Sequence, residues 1–154
     1  MDQNHVKIFV ANQLEAINSE DALIKLAALL EEGGCTKKSF LPALLEREKA
    51  FPTGLELEGK YNVALAHADS EHVISTGFAI GVLKNPATFR NMGDPDQDLE
   101  VKIVFMMAAE NSKVVISSIQ KLTEDMFQKP DVIEKIAQMS TDMDLKTYIE
   151  NIIC

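Results

Sequence analysis

Two of the three histidines of this chain lie within one hexapeptide, His67-Ala68-Asp69-Ser70-Glu71-His72. The hexapeptide follows the apolar run Val63-Ala64-Leu65-Ala66, a pattern typical of a short buried strand that ends in a loop. A residue at a strand end is held rigidly and still meets ligands, so His67 is the best candidate for chemistry. An imidazole titrates near neutral pH, and one of its nitrogens can act as a nucleophile while a hydrogen bond fixes the other.

Two other interpretations of the hexapeptide remain open. A histidine at a strand end is commonly a structural residue whose hydrogen bonds are satisfied within the fold. A zinc site built from His67, Asp69 and His72 has suitable ligand types, but their spacing matches none of the common zinc signatures. Such a site also needs a fourth ligand from elsewhere in the chain.

Arg47 is the residue best placed in the sequence to assist a nucleophilic histidine. On a predicted helix, spacings of three and four residues stack Arg47 with Ala43 and Leu44, at the edge of the buried face. A guanidinium can stabilise the oxygens of a phosphoryl group during transfer and in the resulting phosphohistidine. The alternative is an exposed ion pair within the charged run Glu46-Arg47-Glu48-Lys49.

Length and composition bound the class of protein. The chain has 154 residues, of which 46% are hydrophobic, and this predicts one globular domain over residues 1–154. A net charge of −9 disfavours nucleic acid and anionic membrane surfaces as partners. No apolar run approaches the ~20 residues of a membrane span, and the N-terminus lacks the regions of a signal peptide. We therefore expect a cytoplasmic protein without membrane insertion, with Cys35 and Cys154 reduced.

Motifs for nucleotide and acyl chemistry are missing from the sequence. It has no Gly-x-x-x-x-Gly-Lys-Ser/Thr phosphate loop, no Gly-x-Gly-x-x-Gly turn and no Gly-x-Ser-x-Gly elbow. Binding of ATP or a dinucleotide is therefore not expected, and we predict no cofactor.

Apolar periodicity predicts helices toward both ends of the chain and strands between them. The expected helices begin at Asn18 or Ser19 (ending at Gly33-Gly34), at Thr36 or Ser39 (ending at Ala50), at Asn111 or Ser112, at Lys129-Pro130, and at Thr141 or Asp142. The expected strands cover residues 5–10, 55–57, 61–66, 73–83 and 101–109. Lys84-Asn85-Pro86 should close the fourth strand, with Phe89 in a further short strand or at an edge. The last strand is the most hydrophobic and should be central, and the whole predicts an α/β sandwich.

Several blocks of the sequence resemble, in order and spacing, those of a known family. The blocks are Leu44-Leu45-Glu46-Arg47-Glu48-Lys49, Phe51-Pro52-Thr53-Gly54, Val63-Ala64-Leu65-Ala66-His67, and Gly93-Asp94-Pro95-Asp96 before the apolar run 101–109. Together they resemble the enzyme IIA domain of the fructose/mannitol class, from the bacterial phosphoenolpyruvate-dependent sugar phosphotransferase system. The Phe51-Pro52-Thr53-Gly54 form and the His67-x4-His72 pair look most like the galactitol-specific branch.

This resemblance implies a function for the two candidate residues. His67 would accept a phosphoryl group from the phosphohistidine of the carrier protein HPr and pass it to a cysteine of a IIB partner. Arg47 would lie near that phosphate. The membrane component IIC would choose the sugar or polyol. The resemblance further implies a single mixed sheet of about five strands flanked by helices on both sides, with no metal or nucleotide taking part.

Two positions depart from the family pattern. Ala66 stands where the family usually has proline before the active histidine, and Val114 stands where mannitol-branch members place a second histidine. His72 is therefore a candidate accessory residue. The substitution at Ala66 leaves open a regulatory IIA-like module that signals through phosphorylation of His67. A metal-binding protein that uses His67 and His72 is the third alternative.

Overall fold

The computed structural model describes residues 6–153, so the expectations for His5 and Cys154 lie outside the described residues. Its strands, in chain order, are β1 (Lys7–Leu14), β2 (Gly54–Leu55), β3 (Asn62–His67), β4 (Gly77–Arg90) and β5 (Asp98–Ala108). Its helices are α1 (Ser19–Glu32), α2 (Phe40–Ala50), α3 (Ser112–Leu122), α4 (Pro130–Ala137) and α5 (Asp142–Ile153). A 3-10 turn covers Ser70–His72, and a π-helical turn, Thr123–Phe127, follows α3.

The five strands form one mixed sheet in the order β1-β4-β5-β3-β2. The β1–β4 and β3–β5 pairs are parallel, whereas β4–β5 and β2–β3 are antiparallel. The prediction of a central, doubly buried strand is confirmed, because β5 lies in the middle and its residues from Ile103 to Ala108 are all 0% exposed. The expected mixed sheet of about five strands is likewise confirmed.

Helices cover both faces of this sheet, as the predicted α/β sandwich requires. One core lies under α1 and α2 and includes Ala64 and Ala66 of β3. The other lies under the three C-terminal helices and includes Val63 and Leu65 of the same strand. This alternation follows from the two-residue period of a strand, and it means that β3 contributes side chains to both cores.

The predicted helix boundaries agree with the observed capping. The side chains of Asn18 and Asn111 accept the backbone N–H of Asp21 and Val114 and so cap α1 and α3. Pro130 opens α4, where a missing N–H costs nothing. Gly34 has a φ of +81°, the left-handed conformation that lets the chain turn away after α1.

The predicted bounds of the fourth strand are wrong. β4 begins only at Gly77 and continues to Arg90, so Phe89 belongs to this strand and not to a separate one. Its register with β5 shifts between Val82 and Ala87. A register irregularity is where a strand tolerates proline, so Pro86 does not end β4.

β1 is also longer than predicted, reaching Leu14 where the sequence pattern suggested an end near Val10. Its pairing with β4 shifts register between Ala11 and Leu14, and Gln13 there has a φ of +55°. The irregularity breaks the strict alternation of apolar residues that a sequence pattern relies on. Within residues 6–153, no helix is long and apolar enough to cross a membrane.

Candidate functional site

His67 is the last residue of β3, and it lies opposite Met107 of β5 in the parallel pairing. Because side chains alternate along a strand, His67 lies on the same face of β3 as Val63 and Leu65. The side chains of those two residues belong to the core under the C-terminal helices. The four residues before it are buried, whereas His67 itself is half-buried. The strand therefore presents one rigidly supported imidazole at its carboxyl end.

A hydrogen bond to the main chain orients the His67 ring. Its Nδ1 lies 3.3 Å from the carbonyl oxygen of Leu65, two residues back in the same strand. A carbonyl oxygen can only accept, so this geometry requires the proton on Nδ1 and leaves the lone pair of Nε2 free. Nε2 is thus the ring atom whose lone pair is available for nucleophilic attack.

The surroundings of His67 favour its neutral form. Burial is the main cause that lowers the pKa of His67 below the ordinary value of 6.5, and the charge of Arg47 lowers it further. The Leu65 hydrogen bond and the Asp69 carboxylate act in the opposite direction. A neutral imidazole is the form that can attack an electrophilic phosphorus.

Arg47 projects from the last turns of α2 toward the loop that follows His67. Its Nη1 lies 3.6 Å from Oδ1 of Asp69, and its guanidinium carbon lies 5.3 Å from the ring centroid of Phe51. Its Nε is buried, and no residue among 6–153 accepts a hydrogen bond from it. A buried donor without an acceptor is costly, so Arg47 is poised to bind an additional anion.

His72 contacts a different part of the site. Its Nδ1 lies 2.8 Å from Oγ of Ser39, the residue just before α2. The backbone N–H of Lys37 donates to the His72 carbonyl at 3.0 Å, and the Lys37 ammonium donates to the Glu71 carbonyl at 2.8 Å. The Ser39 side chain makes no capping bond to α2, so the predicted start at Ser39 holds without a side-chain cap. These contacts fasten the loop after His67 to the start of the helix that carries Arg47.

The two departures from the family pattern occupy apolar surroundings. Ala66 is 0% exposed and packs in the core under α1 and α2. Val114 lies in the first turn of α3 and packs, partly buried, against the core under the C-terminal helices. The zinc interpretation of His67, Asp69 and His72 gains no support, since within residues 6–153 no group of three or more potential ligands is close enough to hold a metal.

Glu48 and Thr53 form a structured part of the site that sequence reasoning missed. The Thr53 N–H donates to Oε2 of Glu48 at 3.1 Å, and its hydroxyl donates to Oε1 at 2.7 Å. Burial raises the pKa of the Glu48 carboxyl, and the Thr53 hydrogen bonds and the Arg90 charge oppose that shift. Glu48 stands four residues after the buried Leu44, and this helical spacing was the available signal that its side chain faces inward.

Comparisons with known proteins assign the chain to a family. The family model for the phosphoenolpyruvate-dependent sugar phosphotransferase system, EIIA 2, matches residues 4–152. The PTS system galactitol-specific EIIA component of Escherichia coli K12 is 25% identical over 141 residues, which cover 92% of this chain and 91% of that protein.

Two solved structures are similar in fold. The complex of enzyme IIAMTL and phosphorylated enzyme IIBMTL from Escherichia coli gives a TM-score of 0.74 at 23% identity, covering 98% of this chain and 97% of that chain. Nitrogen Regulatory Protein IIA-Ntr from Neisseria meningitidis gives a TM-score of 0.67 at 19% identity, covering 94% of this chain and 92% of that chain. At these identities the two likenesses concern the fold alone. The family match over nearly the whole chain shows that this protein belongs to the EIIA 2 family of the phosphoenolpyruvate-dependent sugar phosphotransferase system.

Proposed function

We propose that His67 is the residue that carries the phosphoryl group in this chain. As a member of its family, the protein is a phosphotransferase, a phosphoryl carrier of the sugar phosphotransferase system. The observation that supports His67 is the bond from Nδ1 to the Leu65 carbonyl, at 3.3 Å, because it leaves Nε2 free at an accessible strand end. The proposed unit is one domain of this family over residues 1–154.

The reaction consists of two successive transfers. In the first, the Nε2 lone pair of His67 attacks the phosphorus of the HPr phosphohistidine, and the donor's P–N bond breaks as the donor ring regains its lone pair. In the second, a cysteine thiolate of the IIB partner attacks the same phosphorus, and the bond to Nε2 breaks. Both donor and product already hold activated phosphoryl groups, so neither step needs a nucleotide.

Arg47 is the proposed charge partner of the phosphoryl group. Phosphorylation of His67 adds about two negative charges, which a guanidinium can bind through two parallel N–H bonds. No residue among 6–153 accepts a hydrogen bond from the buried Nε, and the contact with Asp69 is long, at 3.6 Å. Arg47 therefore has N–H groups available for the phosphoryl oxygens. His72 is proposed as a supporting residue that holds the loop after His67 through Ser39.

The partners follow from this chemistry. We propose HPr as donor, a IIB component as acceptor, and a cytoplasmic location where both are available, with the membrane component IIC as an indirect partner. Phe51 is 63% exposed beside Arg47 and supplies apolar surface for a transient protein contact. The 25% identity to a galactitol-specific component supports galactitol, or a related polyol, as the sugar whose uptake this chain serves.

Phosphorylation of the purified protein tests the assignment of His67. Incubation with phosphoenolpyruvate, enzyme I and HPr should add one phosphoryl group, measured by intact mass. His67→Ala should abolish the gain, whereas His72→Ala should retain it because His72 supports the loop without bonding to phosphorus. An unmodified wild-type protein would refute the proposal. A mass gain that is lost only in His72→Ala would move the site to that residue.

A second prediction concerns Arg47. Arg47→Ala and Arg47→Lys should both fold, as judged by circular dichroism, and both should slow transfer from phospho-HPr. The lysine variant keeps the charge but loses the planar fork, so it should recover only part of the rate. Transfer rates equal to the wild type in both variants would return Arg47 to the role of an ion pair with Asp69.

A regulatory function is the second candidate, and the fold similarity to a nitrogen regulatory protein favours considering it. In that case His67 would be phosphorylated by HPr without delivering the group to a transporter. Mixing the phosphorylated protein with a purified IIB component would decide between the two functions. Appearance of phosphocysteine on IIB supports the transport role, and a stable phosphohistidine in the presence of IIB supports the regulatory one.

A further inference from the structure

The pairing of β2 with β3 departs from the usual ladder directly beside His67. Gly54 lies opposite Ala64 and Leu55 opposite Val63, so the next residue outward, Thr53, faces Leu65. The Leu65 N–H donates to the Thr53 carbonyl at 3.1 Å. In an antiparallel pair such opposed residues normally exchange two bonds, which would direct the Thr53 N–H to the Leu65 carbonyl.

That second bond is made elsewhere. The Thr53 N–H donates to Oε2 of Glu48 at 3.1 Å, and the Thr53 hydroxyl donates to the other carboxylate oxygen at 2.7 Å. Thr53 is 3% exposed, so water does not readily replace either bond. The Leu65 carbonyl is consequently left for Nδ1 of His67, at 3.3 Å.

Glu48 is itself firmly held. It belongs to α2, directly after Arg47, and the guanidinium of Arg90 donates to the main-chain carbonyls of Glu48 and Lys49 at the end of that helix. These bonds hold the backbone that carries the Glu48 side chain, whose carboxylate accepts both donors of Thr53. Glu48 is therefore linked through Thr53 to the strand that bears His67, because the Thr53 carbonyl accepts the Leu65 N–H.

We propose that Glu48 is a positioning residue for the phosphoryl carrier His67: its carboxylate takes the N–H of Thr53 and so leaves the Leu65 carbonyl to hold Nδ1 of the ring. This inference rests on the function proposed above. Its chemical consequence is the choice of tautomer, because a proton kept on Nδ1 keeps the lone pair on Nε2, where phosphorus is attacked.

Removal of the Glu48 side chain should disturb that choice. In Glu48→Ala the Thr53 N–H has no carboxylate and turns to the Leu65 carbonyl, whose oxygen then accepts from both Thr53 and the His67 ring and holds the ring less strongly. Fewer molecules then hold the Nδ1–H form, and the ring is less well aimed. Transfer from phospho-HPr should slow on the order of 10-fold, as for other residues that orient a reacting side chain.

The test compares Glu48→Ala, Glu48→Gln and the matched control Glu46→Ala, which removes an exposed carboxylate from the same helix. The two readouts are the rate of phosphoryl transfer from phospho-HPr and the ¹⁵N shifts of the His67 ring, which report the tautomer. Glu48→Ala should be slow, with the proton shared between the two ring nitrogens. Glu48→Gln keeps one acceptor oxygen for the Thr53 N–H, so it should recover part of the transfer rate and part of the Nδ1–H population. Glu46→Ala should match the wild type in both.

Other outcomes overturn the proposal. A wild-type rate and tautomer in Glu48→Ala would do so, and so would a slow rate with an unchanged tautomer, since that pattern indicates a purely structural effect. If Glu48→Ala does not fold, Glu48→Gln must show the tautomer change by itself. A wild-type protein that is not phosphorylated at His67 refutes the proposed function instead, and the ring shifts still test the role of Glu48.

Discussion

At the scale of single residues, the site combines a half-buried imidazole with charges of both signs. The charges of Arg47 and Asp69 both act on His67, and its Nδ1 bonds to the Leu65 carbonyl. Burial dominates this balance and lowers the pKa of His67 below 6.5. The same environment that keeps the ring neutral and nucleophilic therefore makes its protonation unfavourable in the folded protein.

This lowered pKa predicts a pH dependence of stability. Between the folded-state pKa of His67 and 6.5, the unfolded chain binds more protons than the folded chain, so the free energy of unfolding rises with pH. The contribution of His67 to the free energy of unfolding is fully present above pH 6.5. It is lost as the pH falls through that value toward the folded-state pKa.

Urea unfolding of the wild type and His67→Gln between about pH 5 and pH 8 measures this effect, because glutamine stays neutral throughout that range. The wild type should lose stability relative to the variant as the pH falls below 6.5. The difference between the two proteins removes the titration of Glu48, whose pKa is raised and which is present in both. A difference that stays constant with pH would contradict the lowered pKa of His67.

At the scale of elements, the sequence predicted those whose signals are local. The caps Asn18 and Asn111, the opening Pro130 and the continuous apolar run of β5 each carry their own physical reason, and all of these elements were placed correctly. β4 was misplaced because proline normally ends a strand, and only pairing with β5 shows that a register shift accommodates Pro86.

The candidate site was predictable to a similar extent. His67 stood out because it follows a buried run, and Arg47 because of its spacing on α2 and the family resemblance. Glu48 was not found, since a glutamate in a charged run usually faces solvent. Its proposed role depends on Thr53, five residues later, whose N–H bonds to the Glu48 carboxylate and not to the neighbouring strand. A contact of this kind is set by the angle between helix and strand, which no local pattern encodes.

At the scale of the whole molecule, the residues of the candidate site come from elements that pack on different helical layers. Arg47 comes from α2, which packs on one core. His67 lies on the face of β3 whose other side chains belong to the other core. The strands β3, β4 and β5 contribute side chains to both cores, so neither layer can lose its packing without disturbing the sheet between them. Because the two cores share these strands, we predict that the two helical layers unfold as one cooperative unit.

Two substitutions on opposite faces test that cooperativity. Leu30→Ala and Ile149→Ala each empty a fully buried position, one in each core, and each should lower the free energy of unfolding by about 2–5 kcal/mol. Because the two residues belong to different clusters, the double variant should show the sum of the two losses within about 0.5 kcal/mol. Urea unfolding followed by circular dichroism and by tyrosine fluorescence should give a single coincident transition in every variant. Two separate transitions, each shifted by one substitution alone, would mean that the layers unfold independently and that the site can lose Arg47 while β3 and the C-terminal helices stay folded.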